Sequence, residues 1–86
     1  MKVVVKLQPF VLKQNLFTVS DEGKTLDNVS VSLSELNKTV FGFVGKYSIN
    51  QIDLVGPKSF AKGIRTELLK DNAEKYGNQE ITINII

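Results

Sequence analysis

The residues of this chain best suited to chemistry lie where a strand-like run meets a helix-like run. Free N–H groups at a helix start, together with the positive end of the helix dipole, can hold a phosphate. The candidate anion site consists of Gly56, Lys58, Ser59, Lys62 and Arg65. The spacing is not that of a Walker A loop, and Pro57 lacks one donor. A simple strand-to-helix connection would use the same residues, and this alternative stays open.

Composition argues against much of enzyme chemistry. The 86 residues include no Cys and no His, which removes thiolate metal sites, Cys nucleophiles and the commonest general base. Two-metal hydrolysis needs several carboxylates together, whereas Asp53 is alone on its predicted sheet face, where Lys6 or Asn84 would satisfy it. We therefore expect no catalytic residue, no metal site, no cofactor and no enzymatic activity.

Hydrophobic periodicity predicts five strands in one domain that spans residues 1–86. Alternation indicates a first strand over residues 2–8 and a second strand centred on residues 16–19. Residues 10–12 can form the start of this second strand. A third strand follows over residues 26–32, after a turn at Gly23. Two later strands cover residues 49–55 and 80–86.

Two helices separate the last strands. Ser32-Leu33-Ser34-Glu35 fits a capping box, so a helix should begin there. Its buried stripe is Leu36, Val40, Phe43, Val44 and Tyr47, which leaves Phe41 off the stripe and half-exposed. The second helix begins at Pro57 and should stop at Gly77. Its apolar side carries Ala61, Ile64 and Leu68, with Phe60 and Leu69 beside them.

This element order predicts an α/β protein of the two-layer α+β kind. Short links make the first three strands an antiparallel meander, and right-handed crossovers add the fourth and fifth strands beyond the first. The result is a mixed five-stranded sheet of order 3-2-1-4-5 with both helices on one face. The covered face should carry Val3, Val5, Leu7, Phe17, Val19, Val29, Val31, Ile52, Leu54, Ile81, Ile83 and Ile85.

The opposite, open sheet face should be mostly polar. It is predicted to carry Lys6, Gln8, Thr18, Ser30, Asp53, Thr82 and Asn84, with Val4, Val55 and Ile86 as apolar positions. Sheets that bind single-stranded nucleic acid stack bases on exposed aromatic residues, and this set has none. The face is therefore either a solvated surface or a protein contact.

The last strand is predicted to lie at an edge of the sheet without protection. Its residues Ile81, Ile83, Ile85 and Ile86 are interrupted by neither Lys nor Pro, which are common guards of an edge. Such an edge can recruit another strand, from a second copy or from another protein. The alternative is a short edge covered by loops of the chain itself.

The order of elements is similar to the ribonuclease H-like fold, which is shared by that nuclease, Holliday-junction resolvases and the actin, Hsp70 and sugar kinase superfamily. Residues 52–57 and the following helix resemble the adenosine motif of the actin-like ATPases. Those ATPases hold magnesium and phosphate with Asp and Gly in the first hairpin, where this chain has Lys6-Leu7-Gln8-Pro9. Ribonuclease H-type nucleases carry an acidic residue on the first strand, and residues 2–8 have none. The resemblance therefore implies a scaffold that has lost both activities.

These observations favour a non-enzymatic protein-binding or assembly module, homo-oligomeric through its edge strand or its open face. A nucleic-acid-associated protein that uses Lys58, Lys62, Arg65 and Lys13 is the alternative, and a degenerate nucleotide binder is a third. The net charge of +2 is mild, so charge alone does not indicate nucleic acid. The apolar run at residues 3–5 is too short to span a membrane, which favours a cytoplasmic protein without a membrane partner. The chain is also similar in size and style to small phage-encoded proteins, for which this would be the host cytoplasm.

Overall fold

The computed structural model describes residues 1–86 and forms a five-stranded sheet with two helices. The strands are β1 (Lys2–Lys6), β2 (Gln14–Val19), β3 (Thr25–Val31), β4 (Gln51–Val55) and β5 (Thr82–Ile85). The helices are α1 (Leu33–Tyr47) and α2 (Lys58–Lys75). Neither helix has the length and apolarity that crossing a bilayer would require.

The strand order is β3-β2-β1-β4-β5, which confirms the predicted mixed sheet. The pairs β1–β2 and β2–β3 are antiparallel, whereas β1–β4 and β4–β5 are parallel. Because β4 is parallel to β1 and β3 is antiparallel to β2, the chain leaves β1, β3, β4 and β5 at the same end of the sheet. Both helices begin at this end, which we call the helix-start end.

One face of the sheet carries both helices, and the core lies between the two layers. The core cluster contains Val3 and Val5 of β1 together with residues of α1 and of α2, such as Val40 and Leu68. Val4, whose side chain points to the opposite face, is not part of that cluster. The two helices also contact each other: Asn37 of α1 donates a hydrogen bond of 2.8 Å to Asp71 of α2. The predicted two-layer arrangement is therefore confirmed.

Strand β2 has the opposite phase to the one predicted from the sequence. Thr18 pairs with Val3 and is fully buried on the covered face, so its assignment to the open face was wrong. Phe17 and Val19 lie on the open face instead of in the core. The two alternate sets of β2 each contain apolar and polar residues, so hydrophobicity alone does not choose between them.

Gln14 provides the local reason for this phase. It is 1% exposed on the covered side of β2, at the start of the strand. Its side chain accepts a hydrogen bond from the Gln8 N–H at 2.5 Å and donates one to the Gln8 carbonyl oxygen at 2.9 Å. A buried amide whose polar groups are paired is stable in a core, so a polar residue occupies a position that the pattern would give to an apolar one.

Residues 8–13 form the loop between β1 and β2. Strand β2 begins at Gln14, so residues 10–12 are not an entry to it. Strand β1 ends at Lys6, which places Gln8 beyond the sheet and corrects its assignment to the open face. Leu7 still continues the pairing with β4, since its N–H donates to the Val55 carbonyl oxygen at 2.7 Å.

Helix α1 begins where the capping box predicted, but without the box itself. Ser32 is the N-cap and makes no capping hydrogen bond with its side chain. Its hydroxyl lies 2.9 Å from the Ser34 hydroxyl instead. Phe41 is 4% exposed, so the prediction that it is half-exposed was wrong. Its ring stacks on Tyr76 with centroids 4.2 Å apart, because α2 flanks this side of α1.

Helix α2 ends close to the predicted stop. Gly77 and Asn78 both have left-handed backbone, with φ of 83° and 51°. Asn72 is buried and fixes the turn that follows, because its side chain makes two hydrogen bonds of 2.9 Å with the Gln79 backbone. This turn returns the chain to the sheet, where it enters β5.

Candidate functional site

The open sheet face contains most of the residues predicted for it. Strand register places Lys6, Ser30, Asp53, Thr82 and Asn84 on this face. Thr18 and Gln8 are the two exceptions described above. Val4, Phe17 and Val19 add apolar surface to the side of the face near β2, so the face is less polar than the sequence suggested.

Asp53 lies near the middle of the open face and is held by three side chains. Lys2 forms a salt bridge of 2.9 Å with it, and Asn84 and Gln51 each donate a hydrogen bond of 3.2 Å. The cation is Lys2, not the predicted Lys6. Burial of the carboxylate acts to raise its pKa, but these donors outweigh burial and the pKa of Asp53 lies below its ordinary value. The residue therefore remains ionised and paired, as a structural ion pair requires.

Phe17 is an aromatic residue on the open face that sequence reasoning missed. The Lys6 ammonium lies 5.5 Å from the centre of its ring, within cation–π range. Phe17 is half-buried between its neighbours. The signal that would have found it is the register of β2, which no hydrophobic pattern in residues 14–19 specifies.

The candidate anion site is partly explained by packing. A Cβ at Gly56 would lie 2.6 Å from the Leu7 carbonyl oxygen, so glycine is required here by the close approach of β1. Lys58, Ser59 and Lys62 are exposed and Arg65 is half-buried. None of the three basic residues takes part in a salt bridge. The structure thus brings the cations together on the first half of α2 but gives Gly56 a structural role.

Strand β5 forms one edge of the sheet and pairs only with β4. The Thr82 N–H bonds to the Asn50 carbonyl oxygen at 2.8 Å, and the Ile86 N–H bonds to the Leu54 carbonyl oxygen at 2.9 Å. Because backbone groups alternate in direction along a strand, the N–H and C=O groups of Ile83 and Ile85 point away from β4. The predicted edge residues are therefore at an open ladder, with Ile81 directly before β5.

The loop between β1 and β2 carries the most exposed apolar side chains of the molecule. Phe10 is fully exposed, Leu12 is 91% exposed and Val11 is 45% exposed. Phe10 also has a left-handed backbone with φ of 72°, which is uncommon for a bulky residue. Sequence reasoning missed this exposed apolar loop because it assigned residues 10–12 to the start of a strand. Pro9 and Lys13 on either side are the signal that favours a loop.

The opposite end of the molecule contains two shallow clefts. One has a volume of about 650 Å³ and is lined by Asn50, Gln51, Glu80, Ile81, Thr82 and Asn84. The other has a volume of about 330 Å³ and is lined by Met1, Lys2, Val19, Ser20, Asp21, Gly23 and Gln51. No group of three or more His, Cys, Asp or Glu side chains in the molecule is arranged to hold a metal ion.

A cluster of polar side chains joins α1 to the edge strand β3. Asp27 accepts hydrogen bonds from the Tyr47 hydroxyl and from Lys46, the latter at 3.2 Å. The bond from Tyr47, followed by that from Lys46, lowers the pKa of Asp27 below its ordinary value. Asp27 is thus an inward-pointing charge on an edge strand, which is one of the devices that protect such strands.

Comparison with known proteins adds no relative to this description. The chain shows no significant match to any protein-family model, to any curated protein or to any solved structure.

Proposed function

We propose that this protein is a non-enzymatic binding module that assembles by strand addition at its β5 edge, with copies of itself or with another protein. The observation that carries the proposal is the outward direction of the Ile83 and Ile85 backbone groups. A strand laid beside β5 would pair with these groups, and main-chain hydrogen bonds supply the affinity in such complexes.

The two edges of the sheet differ in a way that supports this choice. Strand β3 has an inward-pointing charge, Asp27, and its pairing with β2 contains a register shift between Thr18 and Val19. Strand β5 has no charged residue and no proline. Its ladder with β4 is regular. Protected edges resist pairing, so association is expected at β5 and not at β3.

The scaffold is proposed to be ribonuclease H-like. The order β3-β2-β1-β4-β5 with helices after β3 and β4 agrees with that fold. The residues that would do its chemistry are missing or occupied, since β1 has no acidic residue and the Asp53 carboxylate is held in a salt bridge with Lys2. Protein contact is therefore the role that this scaffold retains in our proposal.

Light scattering after size-exclusion chromatography tests the proposal. We expect the mean mass to exceed that of the 9.6 kDa chain and to rise with concentration. Thr82→Lys places a charge on the exposed side of β5 and should lower that mass. Ser30→Lys is the matched control, because Ser30 is an exposed open-face residue on the other edge strand. A single-chain mass at every concentration, or an equal effect of both substitutions, would contradict strand addition at β5.

Nucleic-acid binding is the second proposal, and the unpaired cations Lys58, Lys62 and Arg65 favour it. Phosphate contacts release counterions, so binding of single- or double-stranded DNA should weaken steeply between two salt concentrations. Lys62→Gln/Arg65→Gln should weaken it further, whereas Lys24→Gln/Lys70→Gln removes the same charge elsewhere and should not. Equal effects of the two double variants would mean that net charge, and not a site, attracts the nucleic acid.

A further inference from the structure

The covered side of the β5 edge has apolar side chains that the chain itself does not fully cover. Ile83 and Ile85 of β5, and Ile81 directly before it, pack against the core but are only half-buried. Leu69 of α2 is 47% exposed. Burial of apolar surface is favourable, so a neighbour that extends both the sheet and the helix layer would stabilise this edge.

Leu69 lies on the flank of α2 that is turned towards this edge. Helix α2 packs on β4 and β5, whereas α1 packs on β1, β2 and β3. Asp71 faces α1, because it accepts the hydrogen bond from Asn37. Two residues of a helix that are two positions apart differ by about 200° around its axis. Leu69 is therefore on the side of α2 away from α1, above the outer edge of the sheet.

The spacing of strands decides which partner can cover Leu69. Neighbouring strands of a sheet are about 4.8 Å apart, and α2 lies over β4 and β5. When two β5 strands pair, the α2 helices of the two copies are two strand spacings apart, which is roughly 9.6 Å. Packed helices have axes about 8–10 Å apart. A second copy thus brings its own α2 against Leu69, whereas an isolated strand at β5 leaves Leu69 exposed.

Only an antiparallel pair of β5 strands keeps the helices of both copies on the same face. A two-fold axis perpendicular to the sheet makes the two strands antiparallel and leaves both α2 helices on one side. An axis that makes the strands parallel turns one copy over, so that its helices lie on the opposite face. The half-buried isoleucines of the two copies then point to different sides, and the contact between the helices is lost.

The charges on this flank of α2 permit the antiparallel approach. Lys58, Lys62 and Arg65 precede Leu69 at steps of three or four residues, so they lie on the same flank. All three are in the first half of α2, and the next position on the flank after Leu69 is the uncharged Ala73. In an antiparallel pair the three cations lie beside the second half of the partner's helix, whose end is the negative pole of the helix dipole. Like charges are therefore kept apart.

We propose that the partner at the β5 edge is a second copy of this chain, paired antiparallel so that two sheets become one with all helices on one face. This inference rests on the proposed strand addition at β5 and names its partner. The outward groups of Ile83 in one copy pair with those of Ile85 in the other, and Asn84 lies at the two-fold axis. This register uses every outward N–H and C=O group of β5.

The proposed assembly is closed at two chains. Pairing consumes the β5 edge of both copies, so the edges that remain are the two β3 strands. The inward-pointing charge of Asp27 protects those strands from further pairing. The mass should therefore reach a plateau at twice that of the 9.6 kDa chain.

Disulfide trapping tests the register, because the chain has no cysteine of its own. The two Asn84 residues would face each other in a pair without hydrogen bonds, with Cα atoms about 4.5 Å apart, within the span of a disulfide. Asn84→Cys should therefore form a covalent dimer on mild oxidation. Thr82→Cys is the control, because Thr82 would lie opposite Ile86 and far from its own copy. A properly folded Asn84→Cys protein that forms no covalent dimer, or equal cross-linking of both variants, would overturn this pairing.

Leu69→Lys tests whether the partner brings its own helix. Light scattering should show dimerisation at least tenfold weaker, because the new ammonium would have to lose water between two helices. Leu26→Lys is the matched control, since Leu26 is 48% exposed but lies on β3. Circular dichroism checks that each variant keeps the fold.

The two proposals at β5 can fail separately. Weaker association of Thr82→Lys but not of Leu69→Lys would overturn the second-copy contact and leave strand addition by another chain. An assembly that neither substitution weakens would overturn both proposals. A mass that rises beyond two chains would contradict the closed dimer, whereas a plateau at two chains that both substitutions lower would support it.

Discussion

The Leu7 carbonyl oxygen lies 2.6 Å from the place where a Cβ at Gly56 would stand. A contact this short with backbone cannot be relieved by turning a side chain, so the end of β1 or the start of α2 would have to move. We expect Gly56→Ala to lower the free energy of unfolding by roughly 1–3 kcal/mol, the usual cost of a strained backbone position. Urea denaturation followed by circular dichroism measures the change.

Gly63 provides the matched control for Gly56. It lies inside α2, and an added Cβ would have no atom of another element within 4 Å. Because alanine is favoured over glycine in a helix interior, Gly63→Ala should raise the free energy of unfolding by about 0.5–1 kcal/mol. The same sign for both substitutions would show that close approach to Leu7 is not what requires Gly56.

Gln14 should determine the order of the loop between β1 and β2. Gln14→Leu keeps the size of the side chain but removes both hydrogen bonds to the Gln8 backbone, each of which contributes about 0.5–1.5 kcal/mol. Amide exchange should accelerate across residues 8–13 more than in β1. Gln14→Glu keeps the acceptor for the Gln8 N–H but buries a carboxylate beside the Gln8 carbonyl oxygen, so it should lose at least as much protection. Unchanged exchange in both variants would show that the loop is ordered without the two Gln14 hydrogen bonds.

The sequence was sufficient to predict most of the fold, because the segments with one clear apolar set have one possible orientation. Val3 and Val5 in β1, and Ile52 and Leu54 in β4, are all fully buried as predicted. The prediction of which side of β2 faces the core was wrong because Leu16 and Phe17 are adjacent, and each would make a good core residue. What decides between them is the Gln14–Gln8 pairing, which is a tertiary contact that periodicity cannot report.

The candidate surfaces were predictable to different degrees. The open ladder of β5 follows from composition and strand order, both of which the sequence contains. The exposed apolar loop between β1 and β2 does not, because Phe10 and Leu12 are apolar residues that a pattern assigns to an interior. Phe41 is the converse case, since it lies off the apolar stripe of α1. It becomes buried only because α2 ends beside it and supplies Tyr76.

The stacked pair of Phe41 and Tyr76 should stabilise the contact between the helices. Their rings are 12° from parallel with centroids 4.2 Å apart. Phe41→Leu and Tyr76→Leu each keep an apolar side chain, and the double variant completes a mutant cycle. We expect a coupling free energy of about 0.5–1.5 kcal/mol, typical of aromatic pairs. A coupling near zero would mean that both rings contribute by burial alone.

Thr18 is a position where, as at Gly63, a substitution should stabilise the protein. It is fully buried on the covered face, and its hydroxyl has no hydrogen-bond partner in the protein. Valine has nearly the same shape without the hydroxyl, so Thr18→Val should raise the free energy of unfolding by about 1 kcal/mol. Thr18→Ser keeps the hydroxyl and loses the methyl group, so it should be destabilising. Thermal unfolding of both variants separates the two contributions.

Acid should destabilise the protein through Asp53 and Asp27. Both have pKa values below the ordinary aspartate value of roughly 3.9. The unfolded chain therefore binds more protons than the folded protein at acidic pH. The stabilising contribution of the two carboxylates is fully present above the unfolded pKa, at about pH 4. It falls as the pH drops through the lowered pKa of each folded-state carboxyl.

Asp53→Asn removes from this acid response the contribution of Asp53, the more buried of the two carboxylates. Hydrogen bonds to a charged group contribute roughly 1.5–3 kcal/mol, so the variant should be less stable at neutral pH by about that amount. Its unfolding free energy should also depend less on pH below about 4, because asparagine has no proton to gain. Lys2→Gln should lower neutral stability too but keep a titrating carboxyl, whose pKa rises without the ammonium. Urea denaturation between pH 2 and pH 7 measures both effects. Parallel curves for Asp53→Asn and the unaltered protein would show that this carboxylate has the same pKa in the folded and unfolded states.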